Sequence, residues 1–161
     1  MKNVICNTSP FQYLHQIGRL HILPALAGKI IVPPAVVEEL AVGRVAGVDL
    51  PDIAQLDWIT VQNPVGQSAL PLISDLGAGE SEVLMLALET PGATVILDDL
   101  LARRVAESLN LRLTGTLGLL LDAKQVGLIS QVRPFLDQLQ ALRFRLSPVT
   151  YQAVLKLADE L

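Results

Sequence analysis

Six carboxylates stand where this sequence changes from one kind of element to the next. Glu80 and Glu82 follow a Gly-Ala-Gly loop in the stretch SDLGAGESEVLMLALETPGATVILDD, residues 74–99. Asp98 and Asp99 close that stretch, directly after the run Thr-Val-Ile-Leu, and Glu38 and Glu39 lie on a separate apolar segment. If the end of the 94–97 run faces the start of the helix carrying Glu80 and Glu82, three or four acids converge on a crevice. Carboxylates so gathered repel one another unless a cation or a shared proton relieves them. Mg²⁺ takes oxygen ligands from a few carboxylates and keeps waters and substrate phosphate in its shell. Two such ions can activate a water and stabilise the leaving oxygen in phosphodiester cleavage. That chemistry needs no soft ligand, and the chain has no CxxC, HExxH, GxGxxG, GxSxG or P-loop lysine motif.

Each acid also has a purely structural reading. Glu80 and Glu82 complement the positive end of their own helix. Asp98 or Asp99 caps the next helix, and Asp99 pairs with Arg103 one turn on. Glu38 and Glu39 form a solvated face. Only their joint placement at strand ends and helix starts points to a site. Arg103 and Arg104 could grip a phosphate or simply face water. Thr114 and Thr116 could orient a water or phosphate, with a helix cap as the default for Thr116. His15 and His21 have no recognised ligand spacing.

The elements that must hold these groups alternate between strand and helix. Strands are expected over 3–6, 29–32, 58–62, 94–97 and 112–114. Ser9 reads as an N-cap with Pro10 at the first helical position, for a helix to Ile17 stopped by Gly18. A stretch over 20–26 is broken by Pro24. A helix over 35–42 is stopped by Gly43, residues 44–50 form a loop and 51–56 a helical turn. Residues 63–75 read as a loop with two prolines, and 83–88 belong to a helix apolar all round, hence buried. Over 99–109, Leu101, Ala102, Val105, Ala106 and Leu109 share one helix face, opposite Arg103, Arg104 and Glu107. Thr116 opens a helix to about Val126. Helices over 130–142 and 148–161 close the chain, the second announced by Ser147-Pro148 and carrying the stripe Tyr151, Val154, Leu155 and Ala158. Such alternation implies a parallel sheet covered on both faces. Ligands then bind beyond the carboxyl ends of the strands, where Asn7 follows strand one and Asp98 follows strand four.

With 161 residues, 51% apolar and 17% charged, the chain reads as one domain with a large core and some apolar surface left for an oligomer interface. No apolar run approaches the roughly 20 residues that span a bilayer, and MKNVIC reads as a strand, not a secretory signal. The single Cys6 suits a reducing cytoplasm and reads as a buried structural thiol. A net charge of −4 argues against avid binding of nucleic acid by charge alone, though not against a nuclease with metal-neutralised acids.

The segments NTSPFQYL, IIVPPAVVEEL, LGAGESEVLMLAL, VILDDLLARRVAESLNLRLTGTLGLLLDAKQVGLI and VRPFLDQLQALRFRLSP together resemble the PIN-domain nucleases, specifically the branch related to VapC toxins. The resemblance covers nearly the whole chain in order. It implies a single α/β domain over 1–161, a three-layer α/β/α fold with sheet order 3-2-1-4-5, and a helical extension from about 128. It further implies a cytoplasmic, Mg²⁺- or Mn²⁺-dependent endoribonuclease acting on single-stranded RNA, with a small antitoxin and a homodimer as protein partners. Carried over residue by residue, Asn7, Glu39, Glu82 and Asp98 take the four core positions, with Glu38, Glu80 and Asp99 as nearby alternates. Glu39, Glu82, Asp98 and Asp99 would hold metal. Thr8, Ser9, Arg103, Arg104 and Thr116 would contact substrate. Asn7 departs from the pattern, because the family usually has aspartate there. Asparagine keeps a carbonyl oxygen but removes a full negative charge, which weakens attraction to a hard dication.

Two rivals follow. One is a catalytically impaired PIN module that binds RNA or a protein and dimerises. The other is a receiver-type phosphoacceptor, disfavoured because receivers carry their acidic pair after the first strand.

Overall fold

The computed structural model describes residues 1–66 and 75–161. Val4–Cys6 forms β1, an unbroken apolar triplet with every residue buried, as expected of a strand covered on both faces. Around it lie β2 (Ile30–Val32), β3 (Ile59–Val61), β4 (Thr94–Ile96) and β5 (Arg112–Thr114). All pairings are parallel and the order is 3-2-1-4-5, so the fold expectation holds. Ile5 aligns with Val95 and Cys6 with Ile96, which brings the carboxyl ends of β1 and β4 level with each other.

Eight α-helices among the described residues complete a three-layer fold. They are α1 (Thr8–Gln16), α2 (Ile22–Ala27), α3 (Pro34–Val45), α4 (Ala78–Glu89), α5 (Leu100–Ser108), α6 (Thr116–Gln125), α7 (Arg133–Ala141) and α8 (Pro148–Leu157). The central helix α4 packs on β1 and β4 and against α3, while α2 packs on α6 and α8 closes over α6. Val83, Leu84 and Leu86 are fully buried in α4, but Leu88 is 42% exposed, so the helix is not buried on every side.

Several boundaries differ from the sequence expectation for local physical reasons. Helix α1 begins at Thr8 with Asn7 at the N-cap, which makes Ser9 a helical residue and frees its hydroxyl for a distant partner. Helix α3 does not stop at Gly43. It runs to Val45, and Gly43 is small because the Leu50 side chain packs where a Cβ would stand. Thr116 is the first residue of α6 and not its cap, the N-cap being Gly115. On α5, Leu101 lies half exposed while Ala102 and Ala106 are buried. Ser147 caps α8 as expected, its Oγ accepting from the Thr150 amide at 3.1 Å. Of the loop expected over 63–75, residues 67–74 lie outside the described residues, as does Ser74 at the start of the acidic stretch.

Candidate active site at the carboxyl edge of the sheet

Asn7 leaves β1 at the centre of the sheet, its amide donating to the Ile96 carbonyl of β4 at 3.1 Å. Its side chain is 3% exposed, and its Oδ1 is buried without a hydrogen-bond partner among the described residues. A buried polar atom left unpaired costs free energy, so such an atom needs a reason. Beside it stands Glu39 from α3. Its Oε1 accepts from the Gly79 amide at 3.0 Å and its Oε2 from the Thr8 hydroxyl at 2.5 Å. A Cβ placed on Gly79 would lie 2.7 and 2.8 Å from the two Glu39 oxygens and 3.0 Å from Asn7 Oδ1. A bare backbone at Gly79 is what lets these three oxygens come together.

Asp98, just beyond β4, is held by three donors. Its Oδ1 accepts from the Thr116 amide at 2.8 Å, and its Oδ2 accepts from the hydroxyls of Thr116 at 2.7 Å and Ser9 at 3.0 Å. Gly115 is a second point of close approach, since a Cβ there would meet Arg103 Nη1 at 2.8 Å and Asp98 Oδ1 at 2.9 Å. The Asp98 charge is felt nearby. Burial pushes the Cys6 thiol well above its ordinary range and raises the Tyr13 phenol, and in each case the adjacent Asp98 carboxylate adds to the effect. Cys6 is fully buried and protonated, in keeping with a structural thiol.

Asn7, Ser9, Glu80 and Asp98 open on one cavity of about 720 Å³. A family model described as a PIN domain matches residues 3–160. The chain belongs to the PIN-domain family. No curated protein matches it.

In this PIN domain the predicted site residues differ in their partners. Among the described residues, no three of His, Cys, Asp and Glu gather into a group that could hold a metal ion. Glu39, Glu82 and Asp98 are thus not a preformed group of this kind. Glu82 reaches the amino end of α3, Glu39 stands beside Asn7, and Asp98 lies between β4 and α6. Glu82 Oε2 accepts from the Ala35 amide at 2.8 Å, so it complements the amino end of α3 and not that of its own helix. Asp99 caps α5 through the Ala102 amide at 2.9 Å and makes no pair with Arg103. Glu38 is exposed on α3.

Hydroxyls expected on the substrate are engaged elsewhere: Thr8 holds Glu39, while Ser9 and Thr116 hold Asp98. Arg103 lines the cavity with Nη1 fixed on the Leu97 carbonyl at 2.8 Å, whereas Arg104 is exposed and not among the lining residues. Sequence reasoning passed over Gly79 and Gly115 as close-approach points. It also passed over a wall from the carboxyl end of the chain, Phe144, Arg145, Ser147 and Thr150. The glycines of GAG and GT were visible signals; nothing local marks the wall.

The donors at hand are all oxygens: an unpaired amide oxygen and neighbouring carboxylates. That set suits a hard divalent ion, and Mg²⁺ is commonly held by one or two carboxylates together with water and substrate phosphate. The orphaned Asn7 Oδ1 is the structural feature such an ion would satisfy.

Proposed function

We propose that this PIN domain is a divalent-metal-dependent ribonuclease acting on single-stranded RNA, weakened by the neutral residue at position 7. What carries the reading is the buried, unpartnered Oδ1 of Asn7, beside the Glu39 carboxylate and on the same cavity as Asp98. Asn7, Glu39 and Asp98 would hold Mg²⁺ or Mn²⁺, with Glu80 on the cavity wall as an added oxygen donor. A bound ion of this kind supplies an activated water and offsets charge on the leaving oxygen. The protein's share is positioning. Three donors lock Asp98 in one orientation, two lock Glu39, and Arg103, tied to Leu97, keeps the rest of its guanidinium for a phosphate oxygen. The nuclease-type fold supports the same reading. A small antitoxin and a second copy of the chain are the protein partners it carries.

The test is incubation with labelled single-stranded RNA and Mn²⁺, with and without chelator. Cleavage abolished by chelator and by Asp98→Asn, and increased by Asn7→Asp, is the expected result. Cleavage that persists in Asp98→Asn sinks the assignment.

A second reading has its own observation. Glu39, Glu82 and Asp98 already accept hydrogen bonds from protein donors, so the site is tolerable with no cation. In that case the domain binds RNA or a protein without cutting. No cleavage at any Mn²⁺ concentration, with activity recovered in Asn7→Asp, identifies that state.

A further inference from the structure

Beyond the acids, the cavity has a wall that the chemistry above leaves unused. Phe144, Arg145, Ser147 and Thr150 line it, from the link between α7 and α8 and the first turn of α8. Arg145 is exposed and makes no ion pair among the described residues. Ser147 Oγ donates to Thr150 Oγ1 at 3.0 Å while accepting from the Thr150 amide. That arrangement leaves the Thr150 hydroxyl hydrogen for an acceptor in the cavity. Helix α8 is 10 residues long, so its amino end adds partial positive charge at the same place. Asn7, on the same lining, is 3% exposed, and its Oδ1 is buried without a partner among the described residues, a polar atom that a ligand in the cavity would satisfy.

One part of the lining is thus acidic (Glu80, Asp98) and another is cationic and hydrogen-donating. A hydrolytic centre that must also hold a polyanion needs both. The volume of about 720 Å³ is that of a ligand cleft. Tyr13 and Phe144, an edge-to-face pair 4.9 Å apart, lie on the same lining and offer aromatic surface to an unpaired base.

We propose that Arg145, with Thr150 at the amino end of α8, forms a second phosphate subsite that holds the backbone phosphate next to the scissile one in a single-stranded nucleic acid. The subsite rests on the nuclease reading of this cleft and assigns the chain's carboxyl-terminal segment a direct part in substrate binding. Arg145 touches substrate without touching the reacting atoms, so its loss shows in binding before it shows in turnover.

The experiment is fluorescence anisotropy of the full chain with a short labelled single-stranded RNA in Ca²⁺, titrated at several salt concentrations. Arg145→Ala is expected to raise Kd about tenfold and to lower the slope of log K against log salt by about 0.7, one phosphate contact on a single strand. Arg145→Lys should keep most of the affinity and the slope. Arg112→Ala, at the other edge of the sheet, should change neither, and Arg145→Ala should retain the wild-type circular dichroism spectrum. If Arg145→Ala binds as tightly as wild type with the same slope, the subsite is wrong while the cleavage assay still stands. If wild type binds no RNA even at low salt, the nuclease reading and the subsite fall together.

Discussion

At the scale of single residues, the site turns on whether Asn7 and Glu39 can share a small space. A charge added at position 7 would stand beside Glu39, where like charges repel unless a cation intervenes. Asn7→Asp should therefore melt below wild type in chelator and above it in saturating Mn²⁺. The crossing should be readable by calorimetry as a few degrees each way, since 1 kcal/mol moves Tm by about 2–4 °C at this size. Gly79→Ala probes the same space from the opposite side. Its Cβ would fall 2.7 Å from Glu39 Oε2, and it should abolish RNA cleavage while leaving the far-ultraviolet spectrum unchanged. Retained activity in Gly79→Ala would show that Glu39 is not needed where it sits. The acids and glycines concerned were legible as residue types in GAGESE and ILDD. Their partners were not. Ser9 and Thr116 carry cap signals, yet both hydroxyls go to Asp98, which is remote in sequence and adjacent only across the sheet edge.

Among the elements, α4 shows how far periodicity reaches. Its apolar run gave a buried helix, and most of it is buried. Which residue escapes depends on what packs against each side. Leu86→Ala, at a fully buried position, should cost about 2–5 kcal/mol of unfolding free energy in urea. Leu88→Ala, at a position 42% exposed, should stay within about 0.5 kcal/mol. Equal losses would show that the burial pattern is wrong. Helix α3 makes the complementary point. Gly43 reads as a stop, but Leu50 of the following segment needs the space above its backbone, so the helix continues. Strand existence was legible because β-branched runs between turn residues have few other uses, whereas strand order came only from the likeness to a known family. Helix ends depended on side chains arriving from elsewhere.

For the whole molecule, the carboxyl-terminal helices are tied down by one acid. Glu160 accepts from the amides of Val132 at 2.6 Å and Arg133 at 3.0 Å and pairs with Lys124 at 3.1 Å. Burial alone would raise its pKa, but those amides and the Lys124 ammonium outweigh it and hold the carboxyl below its ordinary 4.5. A depressed folded pKa means that the stabilisation is complete above the unfolded value and is lost as pH falls through the folded one. Wild type should therefore be more stable than Glu160→Gln at neutral pH, with the gap in urea midpoint closing below about pH 4. A gap that is constant with pH would show that the Glu160 charge is not what matters. No helix among the described residues is long and apolar enough to cross a membrane.

The sequence by itself settled the class of fold, the strand order through its likeness to a known family, and the list of oxygens available for chemistry. The first and the last follow from pattern and composition, which are local. Only the tertiary structure decided which oxygens are neighbours. It set Asn7 against Glu39, gave Glu82 to α3 and Asp98 to three donors, and brought Arg145 and Thr150 to the cleft. The physical reason is that a hydrogen bond or a close approach across the sheet edge is set by how the layers pack, and residues that meet there carry no mark of it along the chain.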